Sequence, residues 1–113
     1  MNRQALAGKD QALLNRVRDV VREIEPEAKI ILYGSRARGD ASPDSDWDFL
    51  VLLDGPVDRQ RATAVRHRLY EVEWRHEDCP VLSAIVRSKQ DWASAIYQAM
   101  PFHQNVEHEG IEL

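Results

Sequence analysis

The chain contains the stretch YGSRARGDASPDSDWDFLVLL at residues 33–53, and this stretch decides its fold. KIILY (Lys29–Tyr33) is a short apolar strand that ends at Gly34, and WDFLVLL (Trp47–Leu53) is apolar enough to be a central strand. Between them, residues 35–45 are rich in Gly, Ser, Asp, Pro and Arg, which is typical of a loop. Because this connection is short, the two strands are expected to be neighbours. An antiparallel pair would bring Gly34 close to the start of the second strand.

Two carboxylates stand at the start of the second strand. Asp46 and Asp48 are two residues apart, and side chains alternate along a strand, so both point to one face, roughly 7 Å apart at the backbone. Two such carboxylates repel each other unless cations bind between them. Their oxygen atoms are suitable ligands for magnesium or manganese. A turn that merely caps the strand is the competing interpretation. A calcium-binding loop is excluded, because Phe49 stands where that loop needs glycine.

A phosphate-binding turn is predicted at Gly34 and Ser35. Glycine lets the backbone approach a ligand closely, and Ser35 offers both a hydroxyl and a backbone N–H. Arg36 and Arg38 follow and supply positive charge. Taken alone, these residues also fit an ordinary turn with solvated arginines. The two acids at the start of the next strand favour the phosphate-binding interpretation.

Apolar periodicity and breaker residues predict the rest of the chain. The predicted elements are a helix from Asp10 to Glu25, strands at Lys29–Tyr33 and Trp47–Leu53, a helix from Val57 to His76, a strand at Val81–Val86, a helix from the N-cap Ser88 through Tyr97 that Pro101 ends, and a tail from Phe102 to Leu113 with at most one helical turn. This order predicts an α+β fold, with a small mixed sheet flanked by helices. A three-stranded sheet is small, which leaves room for a protein partner or an oligomer.

Length and composition favour a single soluble domain that spans residues 1–113. A net charge of −4 does not favour a protein that holds nucleic acid stably. A membrane span needs roughly 20 apolar residues in a row, and the sequence has none. The N-terminus lacks a secretory signal, and the lone Cys79 fits a reducing compartment, so a cytoplasmic location is expected.

The motif spacing resembles a known superfamily. Gly34 and Ser35 are followed by ten residues, 36–45, and then by Asp46 and Asp48. This Gly-Ser, ten residues, Asp-x-Asp pattern is similar to that of the DNA polymerase β-like nucleotidyltransferases. The fuller string GSRARG…SDWDFLVLL looks like the minimal nucleotidyltransferase (MNT) domains, the smallest branch of the superfamily.

The resemblance implies roles for particular residues. It makes Asp46 and Asp48 the catalytic carboxylates, which ligate two divalent ions, Mg²⁺ or alternatively Mn²⁺. It assigns binding of the ATP triphosphate to Gly34, Ser35, Arg38 and Ser45, the last through its backbone. It also implies the nucleotidyltransferase fold for the whole chain.

The resemblance implies a partner as well. Many MNT proteins are antitoxins paired with a HEPN-domain ribonuclease toxin, and they transfer AMP from ATP to a tyrosine hydroxyl of that toxin. A degenerate MNT that neutralises its partner by binding alone is the alternative. Transfer to a small molecule such as an antibiotic is less favoured, because those members generally carry an additional domain.

One feature departs from the superfamily pattern. Members usually carry a third carboxylate on a later strand, where it serves as a metal ligand or a base. The predicted strand VLSAIV contains no acid, and Ser83 stands about where the acid is expected. Asp78 precedes this strand, and Glu73 belongs to the preceding helix. This departure motivates the binding-only alternative.

The second predicted helix carries arginines at seven-residue steps. Arg61, Arg68 and Arg75 therefore form a basic stripe that drifts only slowly around the helix. The stripe is interpreted either as a solvated face that pairs with Glu71 and Glu73, or as a docking surface for an acidic protein.

Overall fold

Six helices and four strands occur in the part of the chain that this computed structural model describes, namely Leu6, residues 8–75 and residues 80–113. In chain order they are α1 (Gly8–Ile24), β1 (Lys29–Tyr33), α2 (Ser35–Arg38), β2 (Trp47–Leu53), α3 (Arg59–Arg75), β3 (Leu82–Ser88), α4 (Lys89–Trp92), α5 (Ala95–Gln98), α6 (Pro101–Glu109) and β4 (Ile111–Glu112). The predicted helix end at His76 and the residues Asp78 and Cys79 lie outside this part. None of the helices within it is long and apolar enough to cross a membrane.

The four strands form one mixed sheet in the order β3-β2-β1-β4. Strand β1 is antiparallel to both β2 and β4, whereas β2 and β3 are parallel. The predicted neighbours β1 and β2 are therefore paired, and Tyr33 lies opposite Asp48 in their register. This antiparallel pairing brings the end of β1 to the start of β2.

Helices cover both faces of the sheet. Helices α1 and α3 pack on the face that carries Phe49 and Val51 of β2. Helices α4 and α6 contribute Trp92 and Val106 to the opposite face, where Leu50 and Leu52 lie. Because both faces are covered, β2 reads as a nearly continuous apolar run. The predicted α+β fold, with a small mixed sheet flanked by helices, is confirmed.

The C-terminal tail differs most from the sequence prediction. Pro101 was expected to end a helix, but it begins α6, because proline is tolerated at the first helical position. The chain then passes Gly110 and forms β4, which pairs with Ile31 and Leu32 of β1. The C-terminal region therefore contains a nine-residue helix and a fourth strand that the sequence pattern did not indicate.

The predicted third helix is divided into two short helices. Ser88 is an N-cap as predicted, because its Oγ accepts a hydrogen bond from the backbone N–H of Asp91 at 3.0 Å. Ser94 caps a second helix in the same way, with Tyr97 as the donor. A second N-cap six residues after the first starts a new helix and turns the chain.

Two arginines of the predicted basic stripe form ion pairs within the chain. Arg61 forms two parallel bonds of 2.7 Å to the carboxylate of Glu25, and Arg68 pairs with Glu23 and Glu71. Both arginines therefore join α3 to the α1 region of the same chain. These ion pairs favour the first interpretation of the stripe, a face whose arginines pair within the chain, for Arg61 and Arg68.

Candidate active site

The turn after β1 presents free backbone donors. Gly34 has φ of 80°, a conformation that glycine adopts without strain, and α2 begins at Ser35. The carbonyl of Gly34 accepts hydrogen bonds of 3.0 Å from the N–H groups of Ala37 and Arg38. Within the described residues, nothing accepts a hydrogen bond from the N–H of Ser35 or of Arg36, as is usual in a first helical turn. An anion can bind at these donors.

One of the two acids belongs to β2, and the other directly precedes it. By strand alternation, Asp48 lies on the face of Leu50, whereas Asp46 comes immediately before Trp47, where β2 begins. Asp46 is exposed and Asp48 is half-buried. Burial raises the pKa of Asp48, and the negative charge of Asp46 raises it further. The same burial effect raises the pKa of Tyr33, and Asp48 adds to it.

Trp47 points to the opposite face, as predicted. Its ring is buried in the core under α1 and α3, and the guanidinium of Arg36 lies 4.5 Å from the ring centroid. Trp47 therefore anchors the start of β2 without entering the face that carries the acids.

The side chain of Asp48 lies close to the Gly34 turn. A Cβ atom added to Gly34 would lie only 2.9 Å from Oδ2 of Asp48. The carboxylate of Asp48 therefore lies against the backbone of Gly34, the residue that directly precedes the free N–H groups of α2. This contact is the geometry that a triphosphate bridged to metal ions would need.

Substitution of Gly34 by alanine is expected to damage both stability and nucleotide binding. A side chain strains the backbone at this positive φ, at a cost of about 1–2 kcal/mol, and the new Cβ would push Asp48 away. Urea unfolding and MgATP calorimetry measure the two effects.

Gly8→Ala is the matched control for Gly34→Ala, because no atom lies within 4 Å of a Cβ added at Gly8. Wild-type affinity for MgATP in Gly34→Ala would contradict the importance of this close contact.

Asp48→Asn is expected to stabilise the metal-free protein at neutral pH. Because the pKa of Asp48 is raised on folding, its ionised form favours the unfolded state. As pH falls through the raised pKa, the folded state takes up the proton first, so the free energy of unfolding rises until the pH is below the unfolded pKa. The asparagine variant should therefore be more stable at pH 7, with an advantage that shrinks towards acidic pH.

Urea unfolding of Asp48→Asn and wild type between pH 4 and pH 7, without divalent ions, measures this difference. The exposed Asp44→Asn serves as the control variant. A less stable Asp48→Asn protein at pH 7 would show that the carboxylate is not a destabilising charge.

The loop between α2 and β2 is held by Arg36. Its Nε and Nη2 donate to the carbonyl of Ser45 at 3.2 and 2.8 Å, and Nη2 also donates to the carbonyl of Pro43. Ser45 in turn donates its N–H to the carbonyl of Ser42 at 3.1 Å. The backbone groups of Ser45, which the sequence assigned to nucleotide contact, therefore close the loop.

Arg38 lies beside the turn but contacts two carboxylates. Its Nε donates to Asp40 at 3.1 Å, and its Nη1 donates to Glu109 of α6 at 3.2 Å. Glu109 also accepts the backbone N–H of Gly34 at 3.1 Å. Sequence reasoning missed Glu109, because it lies in the region interpreted as a tail and belongs to no local motif.

The expected third carboxylate is absent from β3. Ser83 pairs with Asp48 in the parallel register of β2 and β3, which puts its hydroxyl beside Asp48 on the same face. Glu73 accepts the N–H of Leu82 at 2.5 Å and so is committed to the start of β3. In the described ranges, no three His, Cys, Asp or Glu residues cluster as a metal site. Two carboxylates still fit Mg²⁺, which commonly takes its other ligands from phosphates and water.

A model of the nucleotidyltransferase domain family matches residues 14–103. The chain belongs to this family. The match spans β1, β2 and β3, including the Gly-Ser turn and both acids, and it confirms the superfamily resemblance. No curated protein sequence matches the chain significantly.

Two solved structures resemble this nucleotidyltransferase domain in fold. One is a toxin–antitoxin with AMP-PNP, 20% identical, with a TM-score of 0.59 over 87% of this chain and 69% of the other. The second is an MntA–HpeT toxin–antitoxin in which a tyrosine is mutated to alanine, 23% identical, with a TM-score of 0.59 over 88% of this chain and 70% of the other.

Proposed function

We propose that this nucleotidyltransferase domain transfers AMP from ATP to a hydroxyl group of a partner protein and thereby acts as an antitoxin. The observation that carries the proposal is the contact between Asp48 and the Gly34 turn. It supports the proposal, because a carboxylate that would bind a metal ion lies against a turn that would bind phosphate. We also propose that residues 1–113 form one domain and that the protein acts in the cytoplasm.

Each part of the site has a role in the proposed reaction. The N–H groups of Ser35 and Arg36, the Ser35 hydroxyl and Arg38 hold the triphosphate. Asp46 and Asp48 would hold two Mg²⁺ or Mn²⁺ ions, which would neutralise the charge of the phosphate oxygens. The acceptor oxygen forms a bond to the α-phosphorus, the bond between that phosphorus and the bridging oxygen breaks, and pyrophosphate leaves.

The partner is proposed from the similar structures. Both are described as toxin–antitoxins, one of them with AMP-PNP, and in the other a tyrosine has been mutated. Together with the MNT resemblance, this supports a HEPN-domain toxin as the acceptor and one of its tyrosines as the modified residue. Nucleic acid and membranes are not needed as partners.

Labelled ATP tests the proposal directly. The purified chain is mixed with a candidate HEPN-domain toxin, MgCl₂ and either α-³²P-ATP or γ-³²P-ATP. Transfer of AMP labels the partner from the α position but not from the γ position, and EDTA abolishes the labelling. Neutralisation of the partner without any transfer of ³²P from the α position would contradict the transferase proposal.

A binding-only antitoxin is the second candidate, and the hydroxyl of Ser83 in place of an acid favours it. Without that acid the attacking hydroxyl lacks a carboxylate base, and loss of a base costs about 10²–10⁴ in rate. This candidate predicts that Asp46→Asn and Asp48→Asn neutralise the partner as well as wild type. Calorimetry with MgATP separates the candidates further, because a degenerate site would bind the nucleotide weakly.

A further inference from the structure

The C-terminal helix reaches the phosphate-binding turn through one side chain. Oε1 of Glu109 accepts the backbone N–H of Gly34 at 3.1 Å, across 75 residues of sequence. Its Oε2 lies 3.2 Å from Nη1 of Arg38. The Glu109 side chain is only 17% exposed, although Arg38 is 47% exposed. This carboxylate therefore contacts two parts of the turn and is largely shielded from water.

The backbone around Gly110 fixes the position of Glu109. A Cβ at Gly110 would lie 2.5 Å from the carbonyl of Val106 and 2.7 Å from Cγ2 of Ile31. Only glycine lets the end of α6 come this close to β1. Strand β4 follows immediately and pairs with β1. Glu109 is thus fixed from both sides, by α6 before it and by β4 after it.

The hydrogen bond from the Gly34 N–H to Glu109 does not involve the N–H groups of Ser35 and Arg36, which are the proposed phosphate donors. The N–H groups of Ser35 and Arg36 stand at the start of α2 and have no acceptor within the described residues. The N–H of Gly34 precedes them and is already satisfied by Glu109. A triphosphate at the start of α2 therefore need not displace Glu109 from Gly34.

We propose that Glu109 is a positioning residue, which holds Gly34 in its positive-φ conformation and so presents the Ser35 and Arg36 donors beside Asp48. The proposal rests on the proposed function insofar as the ligand at this turn is MgATP. A hydrogen bond to a charged group is stronger than a neutral one. Such a bond limits the turn to one conformation before the nucleotide arrives, which lowers the entropic cost of binding.

Two variants at position 109 test the bond to Gly34. Glu109→Ala removes the acceptor, whereas Glu109→Gln keeps an oxygen that can accept the same N–H. We expect the Kd for MgATP, measured by calorimetry, to rise about tenfold in Glu109→Ala and to stay within about threefold of wild type in Glu109→Gln. The KM for ATP should follow the Kd, while kcat changes less.

Hydrogen exchange at the Gly34 amide, measured by NMR without nucleotide, gives a second readout. Exchange is expected to be about tenfold or more faster in Glu109→Ala than in wild type, and close to wild type in Glu109→Gln. Glu112→Ala removes a 61%-exposed carboxylate that pairs with Lys29 on the same tail, so it controls for general loosening of β4.

The two proposals fail in different ways. If wild type does not bind MgATP, the proposed function fails, while the exchange pattern at Gly34 still decides the role of Glu109. If Glu109→Ala is folded and keeps wild-type Gly34 exchange and MgATP affinity, the positioning role is refuted. It is also refuted if Glu109→Gln behaves like Glu109→Ala, since the Arg38 ion pair would then be the contact that matters.

Discussion

Nucleotidyl transfer is expected to fall about a thousandfold or more in Asp46→Asn and, separately, in Asp48→Asn. An amide cannot replace an anionic oxygen ligand for a hard divalent ion. Loss of several kcal/mol of charge stabilisation in the transition state corresponds to roughly three decades in rate. The measurement is the initial rate of α-³²P label transfer to the partner at saturating ATP and Mg²⁺.

The chain offers a matched control for these two substitutions. Asp44 lies two residues before Asp46 in the same loop and is exposed. Asp44→Asn makes the same chemical change and should keep transfer within about threefold of wild type, since isolated surface charges contribute little. Comparable losses in Asp44→Asn and Asp46→Asn would mean that loop charge, and not metal ligation, supports the reaction.

Activity and stability are expected to move in opposite directions at Asp48. Burial and the neighbouring Asp46 raise the pKa of Asp48, so the ionised carboxylate is unfavourable in the metal-free fold. The asparagine variant relieves this cost and loses the proposed activity. Such opposition is common where a fold keeps unfavourable charges for function. Added Mg²⁺ should stabilise wild type and not Asp48→Asn, because only wild type would bind the ion at this site.

The sequence predicted the centre of the fold because its information is local there. Gly34 and Asp48 are joined by a short connection, strand alternation sets the direction of Asp48, and the apolar run of β2 requires a central position. These constraints act within about 20 residues and leave few arrangements. The antiparallel contact between the turn and Asp48 follows directly from them.

The parts that sequence reasoning missed depend on contacts distant in sequence. Glu109 contacts Gly34 across 75 residues of sequence, and Arg61 pairs with Glu25 across 36 residues. No periodicity encodes such pairs. The tail was misjudged for a related reason: β4 has only two residues and forms because β1 offers it a free edge.

Ser83→Asp is expected to raise the rate of nucleotidyl transfer by about 10²-fold, the lower end of the range for a general base. Ser83 pairs with Asp48 on adjacent parallel strands, which lie about 4.8 Å apart, so a carboxylate at position 83 would complete a cluster of three acids. Ser83 is exposed, and the new side chain therefore fits without entering the core. Three close carboxylates should make the metal-free variant less stable than wild type, and Mg²⁺ should reverse that loss.

Ser83→Asn separates charge from shape in this experiment, because it has the size of aspartate without the negative charge. Only Ser83→Asp should gain activity, and the gain should vanish in the double variant Ser83→Asp with Asp48→Asn, since a base cannot rescue a site that no longer binds the ions. If Ser83→Asp transfers AMP no faster than wild type and Ser83→Asn behaves identically, the missing acid does not limit the reaction. Asp46 and Asp48 would then suffice, and Ser83 would no longer support a degenerate, binding-only antitoxin.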